Sequence, residues 1–217
     1  MSQTVHGALH TPTDHEHLRE LSEALGRFGD CVDVVDGWGC RLAAVLDTGG
    51  RLLAAGNGGS AAQAQHLTAE LVGRYREDRR PFSAICLTAE TSSLTAIGND
   101  YPASELFARQ VEAHGRPGDV LVLMSTSGTS ANVVEAARRG RAGGLQVWAL
   151  TGPRPNPLAE EASECCAVDA PYTATVQELH LVALHILCGA LDRELGVGVS
   201  RSGPRRVQPS LAAGRGA

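Results

Sequence analysis

Two side chains suited to proton transfer or metal binding, His66 and Glu70, lie four residues apart within residues 52–75. If this part of the chain is helical, both side chains project from one face. An imidazole beside a carboxylate can move protons or ligate a metal ion. The spacing alone favours an ordinary solvent-exposed helix pair, so the functional interpretation depends on the residues around it.

The surrounding segment, LLAAGNGGSAAQAQHLTAELVGRY, predicts the element that positions this pair. Leu52 to Ala55 form an apolar strand, three glycines follow (Gly56, Gly58 and Gly59), and Ser60 is a suitable N-cap for a helix. Free backbone N–H groups and the positive end of the helix dipole then meet at the strand tip, where an anion can bind. The segment therefore predicts a small phosphorylated substrate whose far end meets the imidazole and the carboxylate.

A dinucleotide site is the main alternative for this turn, because GNGGSA also matches the relaxed pattern G-x-G-x-x-A. That pattern requires an acidic residue about 20 positions later, at the end of the next strand. Here the window holds Glu77 and Asp78 in a polar turn before the next apolar run. The sequence therefore favours a small phosphorylated substrate over a nicotinamide or flavin cofactor.

The composition of the 217 residues excludes several classes of function. A net charge of −5 argues against a nucleic-acid-binding surface. No apolar run approaches the ~18 residues of a membrane span, and the N-terminus lacks a signal-peptide pattern, so we expect a cytoplasmic protein. The six cysteines include no C-x-x-C pair and are expected to be reduced. All 19 basic residues are arginine, which excludes lysine Schiff bases, lysine-bound pyridoxal phosphate and the Walker P-loop.

A second strand-to-helix turn repeats the first design in residues 119–144. Val120 to Met124 are apolar, the next six residues are STSGTS, and a helix is predicted over 131–142. Five hydroxyls in six residues exceed what helix capping needs, so we predict a phosphate cradle lined by hydroxyls and amides. The alternative is a plain connection with a capping serine.

Apolar strands and helices alternate along the rest of the chain. Strands are predicted at 52–55, 83–88, 120–124, 145–152 and 165–170, and further helices at 15–29, 31–47, 91–100, 104–114 and 173–195. This alternation predicts an α/β fold, an αβα sandwich with a five-stranded parallel sheet and an N-terminal helical extension. Ligands bind at the carboxyl ends of such strands, so both turns could serve one ligand.

Four motifs in order, GNGGSAAQAQHLTAEL, TAIGND, STSGTSAN and VQELHLVALH, resemble the SIS (sugar isomerase) fold and, within it, the phosphoheptose isomerases. The resemblance runs from about residue 15 to 195. It implies an aldose–ketose isomerase that converts sedoheptulose 7-phosphate to D-glycero-D-manno-heptose 7-phosphate through an enediol, the first step of nucleotide-heptose biosynthesis. It also implies a homotetramer with active sites between subunits. We accordingly predict N-terminal helices for oligomer contacts over 1–50, a sugar-phosphate-binding SIS core over 51–195, and a disordered tail over 196–217.

The resemblance also implies roles for individual residues. Glu70 and His185 match the acid–base pair. Zinc, as a cofactor of some members, would be bound by His66, Glu70, Gln177 and His185, although an ion on Glu70 would compete with its work as a base. The implied substrate contacts are Asn57, Gly58, Gly59, Glu70, Asn99, Asp100, Ser125, Thr126, Ser127, Ser130 and Gln177, of which the four hydroxyl residues would hold the phosphate.

Several residues depart from this family pattern or lie outside it. Ala174 stands where some isomerases have an aspartate, three positions before the glutamine of the last helix, and Thr129 stands where many relatives have asparagine. His180 points away from His185 on the helical wheel and is predicted to be a packing or interface residue. His114 and the four N-terminal histidines have no partner pattern, so they are predicted to face solvent.

A second class of function remains open at the level of sequence. Some SIS proteins have lost the acid–base residues and bind a protein partner, such as the bacterial replication initiator. The presence of both Glu70 and His185 favours an enzyme, because a binding module has no use for them. An isomerase of another ketose phosphate would share the same mechanism.

Overall fold

Five parallel strands form a single sheet in the computed structural model, which describes residues 13–198. The strand order is β2-β1-β3-β4-β5, so every carboxyl end lies at the same edge. The strands are β1 (Leu52–Gly56), β2 (Ala84–Cys86), β3 (Val120–Ser125), β4 (Gln146–Thr151) and β5 (Glu164–Ala167). The predicted five-stranded parallel sheet is confirmed.

Eight helices cover the sheet within the described residues. They are α1 (Asp14–Gly26), α2 (Gly29–Asp47), α3 (Gly59–Val72), α4 (Thr91–Asp100), α5 (Glu105–His114), α6 (Ala131–Ala142), α7 (Pro157–Glu161) and α8 (Thr173–Glu194). One face of the sheet packs against α1, α2, α3 and α8, and the other against α5, α6 and α7. Alternate residues of each strand enter opposite cores, which explains why the strands are continuous apolar runs.

The N-terminal helices pack into the first of these layers. Trp38 of α2 stacks on Trp148 of β4, with ring centroids 5.2 Å apart, and its indole N–H donates to Glu164. The helix α1 begins with a capping box, in which the Thr13 hydroxyl accepts from the Glu16 amide and the Glu16 carboxylate accepts from the Thr13 amide. The confirmed N-terminal helical extension therefore contributes to the main core.

The structure corrects the predicted start of α3. The N-cap is Gly58, with φ +54° and no capping side chain, and the helix begins at Gly59. Ser60 is buried inside the first turn, so the prediction that it caps the helix is wrong. Glycine tolerates this positive φ, whereas other residues rarely adopt it. The second and fifth strands are also shorter than predicted.

The C-terminal helix α8 is long and apolar enough to cross a membrane by length and composition alone. Just over half of its apolar window, 56%, is buried inside the fold, as in the core helix of a globular domain. Of the tail predicted over 196–217, only residues 196–198 are described, as a turn after α8. The disorder prediction for the remainder lies outside the described residues.

Candidate active site

The STSGTS turn connects β3 to α6 and directs its hydroxyls toward one another. The Ser125 hydroxyl lies 3.2 Å from that of Ser130 and 3.5 Å from that of Ser127, and it accepts from the Gly128 amide at 3.1 Å. Thr129 donates its hydroxyl to the Ser127 oxygen at 3.0 Å. The turn is thus held by its own polar groups before any ligand binds.

Gly128 fixes the shape of this turn. Its φ is +64°, and a Cβ placed there would lie 2.1 Å from the side-chain oxygen of Asn156. Its carbonyl accepts from the Leu158 amide at the start of α7. Any larger residue would push the turn away from α7, so only glycine fits.

The two predicted turns enclose one small polar cavity of about 90 Å³ at the carboxyl edge of the sheet. A reciprocal amide pair joins them, because Asn57 and Asn132 each donate to the other's oxygen at 2.9 Å. Gly59 leaves room for Gln177, whose amide atoms would lie 2.6 Å from a Cβ at that position. The cavity is lined by Asn57, Ser60, Met124, Ser125, Thr126, Ser127, Ser130 and Gln177.

A second polar cluster lies further along α3, where it meets α8. The Nε2 atom of His66 is 3.2 Å from Nε2 of His185 and 3.3 Å from Oε1 of Glu70. The other carboxylate oxygen of Glu70 is buried and has no hydrogen-bond partner within residues 13–198. The structure thus brings together the predicted acid–base pair and the histidine between them.

Two distances between side-chain atoms in this cluster match the distances between ligand atoms around a zinc ion. Zinc bound at 2.0–2.1 Å in tetrahedral geometry places its ligand atoms ~3.3 Å apart, close to the two separations measured from His66. In the described part of the chain, however, no three histidine, cysteine or carboxylate side chains are together placed to hold a metal ion. The Gln177 amide lies against Gly59. The donor types therefore fit zinc, while the complete ligand set is not assembled.

Arg79, which no sequence pattern singled out, joins the two helices that carry this cluster. Its buried guanidinium donates to the carbonyls of Glu70 at 2.6 Å and Leu71 at 3.0 Å, at the end of α3. It also pairs with Asp192 of α8 at 3.0 Å. In the sequence Arg79 is one of several arginines in a polar turn, so nothing distinguished it from its neighbours.

Two predicted substrate contacts stand apart from the cavity. Asn99 and Asp100 are exposed at the end of α4, where the Asn99 amide donates to the Asp100 carboxylate at 2.8 Å. No described contact joins either residue to the cavity. Ala174 is exposed three residues before Gln177, and no carboxylate stands at its position.

The remaining described histidines lie outside both polar sites and differ in their burial. His180 is fully buried and donates from Nε2 to the Thr151 carbonyl at 3.1 Å, and burial lowers its pKa to about 4. It is therefore a packing residue, in agreement with the prediction. His15 and His114 are exposed, as predicted, whereas His17 is partly buried and its Nε2 lies 2.9 Å from the Glu178 carboxylate. His6 and His10 lie outside the described residues.

Comparison with known proteins agrees with this fold. The family model described as "SIS domain" matches residues 35–152, more than half of the chain. The chain is therefore a SIS-domain protein. It is 65% identical over 182 residues to "Phosphoheptose isomerase" from Streptomyces coelicolor, covering 84% of this chain and 79% of that protein. The chain belongs to the phosphoheptose isomerase family, a family of sugar-phosphate isomerases.

Two solved structures support the same assignment. Phosphoheptose isomerase from Neisseria gonorrhoeae superposes with a TM-score of 0.75 at 39% identity, over 82% of this chain and 95% of that one. A phosphoheptose isomerase from Francisella tularensis gives a TM-score of 0.78 at 30% identity, over 82% and 96%. The shared fold therefore extends over nearly the whole of the two solved structures and over most of this chain.

Proposed function

We propose that the protein converts sedoheptulose 7-phosphate to D-glycero-D-manno-heptose 7-phosphate and so begins nucleotide-heptose biosynthesis. The placement of two polar sites along α3 carries the proposal. The helix begins at the hydroxyl-lined cavity, and from Ser60 to His66 it rises about 9 Å. A seven-carbon sugar with its phosphate in the cavity can reach His66, Glu70 and His185 with its C1–C2 end.

Phosphate binding in this cavity would rely on dipoles and hydroxyls, because no charged side chain of residues 13–198 lines it. The first amides of α6 and the turn itself supply N–H donors to an anion. Ser125, Thr126, Ser127 and Ser130 would add hydroxyl donors. Asn57, Gly58, Gly59 and Gln177 would contact the sugar, and Asn99 and Asp100 remain proposed contacts from the resemblance.

Glu70 and His185 would share the proton transfers of the isomerisation. Glu70 would take the proton from C1 of the ketose as the C2 carbonyl oxygen gains one, which gives the enediol. It would then return a proton to C2 while O1 loses its proton and becomes the aldehyde oxygen. His185 would move the proton between the two oxygens, a role for which a ring nitrogen near neutral pH is suited.

Zinc is proposed to bind here, with His66, Glu70, Gln177 and His185 as its ligands. When bound it would supply Lewis-acid polarisation of the substrate carbonyl. The two matching separations from His66 and the unpartnered oxygen of Glu70 support the site. Because a metal on Glu70 would occupy the base, the metal-bound and proton-transferring states of this carboxylate would be distinct.

We also propose a cytoplasmic homotetramer with active sites at subunit interfaces. Leu18 and Leu25, seven residues apart on one face of α1, are 62% and 52% exposed. Leu181 and Val182 of α8 are also exposed. Apolar surface of this kind favours burial against a second copy. Light scattering on Leu18→Glu together with Leu25→Glu tests this, since a tetramer held by this surface would dissociate.

The alternatives remain a SIS protein that binds a protein partner and an isomerase of another ketose phosphate. NMR of sedoheptulose 7-phosphate incubated with the protein in D₂O distinguishes them. An aldose 7-phosphate with deuterium at C2 is the expected result, and its loss on chelation with recovery on adding zinc would place the metal in the reaction. No product and no exchange from folded protein would contradict the proposal, and a panel of other ketose phosphates would then separate the two alternatives.

A further inference from the structure

We propose that Tyr75 is a positioning residue that fixes the imidazole of His185 for proton transfer. The proposal rests on the proposed role of His185. The phenol ring of Tyr75 stacks on that imidazole, with centroids 5.6 Å apart and planes 24° from parallel. His66 meets the same imidazole at its edge, at 5.3 Å and 68°. The imidazole is therefore in contact with two rings of different orientation.

The chain places Tyr75 for this contact by local means. Tyr75 follows α3 and is half-buried against the first core layer. The Arg74 guanidinium donates to the carbonyl of Arg76, which braces the backbone on both sides of Tyr75. The Arg76 guanidinium in turn lies 5.0 Å from the centre of the tyrosine ring, a cation–π distance.

The surface of α8 leaves space for the tyrosine ring. Gly189 lies one helical turn after His185, and a Cβ built there would be 3.8 Å from the tyrosine ring edge. A bulky side chain at this position would occupy the space of the ring. Tyr75 thus covers the face of α8 that carries His185.

This ring pair borders an open cavity, which gives the imidazole room to turn. A cavity of about 520 Å³ lies between α2 and α8, and both Tyr75 and His185 line it. A histidine without a stacking partner could rotate about χ1 and χ2 into this space and leave His66. Because misplacement of a reacting group by ~1 Å can cost about 100-fold in rate, such rotation would lower turnover.

Variants at Tyr75 test the proposal through a split between kcat and KM. Tyr75→Leu keeps apolar volume but removes the ring face, so we expect kcat to fall about 10- to 100-fold with KM within about twofold. Tyr75→Phe keeps the ring and should restore kcat. Asp36→Asn, in the same cavity and paired with Arg193 at the surface, is the matched control and should leave kcat unchanged.

A spectroscopic measurement separates positioning from a folding defect. In protein labelled at histidine ring carbons, the His185 signal, assigned by its loss in His185→Gln, should show a ring-current shift that Tyr75→Phe keeps and Tyr75→Leu removes. Unchanged kcat in Tyr75→Leu, equal loss in both tyrosine variants, or a wild-type His185 signal without the shift would overturn the proposal. A wild-type protein inactive on sedoheptulose 7-phosphate that still shows the shift would contradict the proposed reaction and leave the positioning intact.

Discussion

The proposed phosphate turn and the proposed acid–base cluster are built in different ways. The turn of residues 125–130 is held by hydrogen bonds among neighbours in sequence, and one glycine fixes its shape. The cluster joins residues 119 positions apart, His66 on α3 and His185 on α8. The proposed binding turn is therefore encoded locally, whereas the proposed proton transfer depends on how two helices pack. Disturbing the packing should lower turnover before it lowers affinity.

Glu70→Gln is the variant with the largest expected effect on this difference. We expect turnover to fall about 10²–10⁴-fold, because the amide cannot act as a base. Binding of the sugar phosphate, measured by calorimetry, should be nearly unchanged. The contrast between the two regions fails if this variant turns over substrate at a near-normal rate.

Ser127→Ala combined with Ser130→Ala tests the other region. Each hydrogen bond to a charged group contributes ~1.5–3 kcal/mol, so KM should rise at least tenfold. kcat should change little, because these hydroxyls are proposed to bind the phosphate in ground and transition states alike. The measurement is steady-state kinetics on variant and wild type in the same oligomeric state. An unchanged KM would mean that the phosphate binds at another site.

His180 lies on α8 between Gln177 and His185 and should make the stability of the fold depend on pH. Its folded pKa of about 4 lies below the unfolded value near 6.5. The unfolded state thus binds the proton first, and stability is complete above pH 6.5 and is lost as the pH falls toward 4. Between pH 7 and pH 5 the loss should be about 2 kcal/mol.

Urea unfolding at both pH values measures this loss. His180→Asn should show a smaller pH dependence of its stability. It should also be less stable at pH 7, because the buried hydrogen bond from the His180 ring to the Thr151 carbonyl is lost. His114→Asn, at an exposed histidine, should retain the wild-type pH dependence. Equal pH dependence in wild type and His180→Asn would assign the effect to other groups.

Removal of residues 199–217 is the smallest expected perturbation. Every candidate site residue precedes residue 186, and the removed sequence is rich in glycine, proline and arginine. Both kcat and KM should match the full chain in the same assay, and light scattering should give the same assembly. Loss of the proposed tetramer on truncation would contradict the prediction that the tail is disordered.

The sequence predicted the sheet and most helices because their apolar periods are strong and continuous. It also predicted the polar turns, since five hydroxyls in six residues are visible without coordinates. It was wrong about Ser60, because a glycine backbone conformation, which leaves no side-chain signal, caps α3. It also treated His17 as free, since its partner Glu178 is 161 residues away.

Spacing alone could not establish the contact between His66 and His185, which came from the family resemblance. Contacts across packed helices depend on crossing angle and rotation, and neither is set by local residues. The same limit hid Asn132, whose pairing with Asn57 depends on how β1 and β3 lie in the sheet. The residues that join elements were thus the hardest to predict.

The guanidinium of Arg79 has a consequence for which changes of length the chain tolerates. It caps the end of α3 from a turn only six residues beyond Gly73, and it is anchored on Asp192 at the same time. An insertion in this turn would pull the cap from α3 or the anchor from α8. Unlike most surface loops, this turn should therefore keep its length among working relatives and resist grafting of foreign loops.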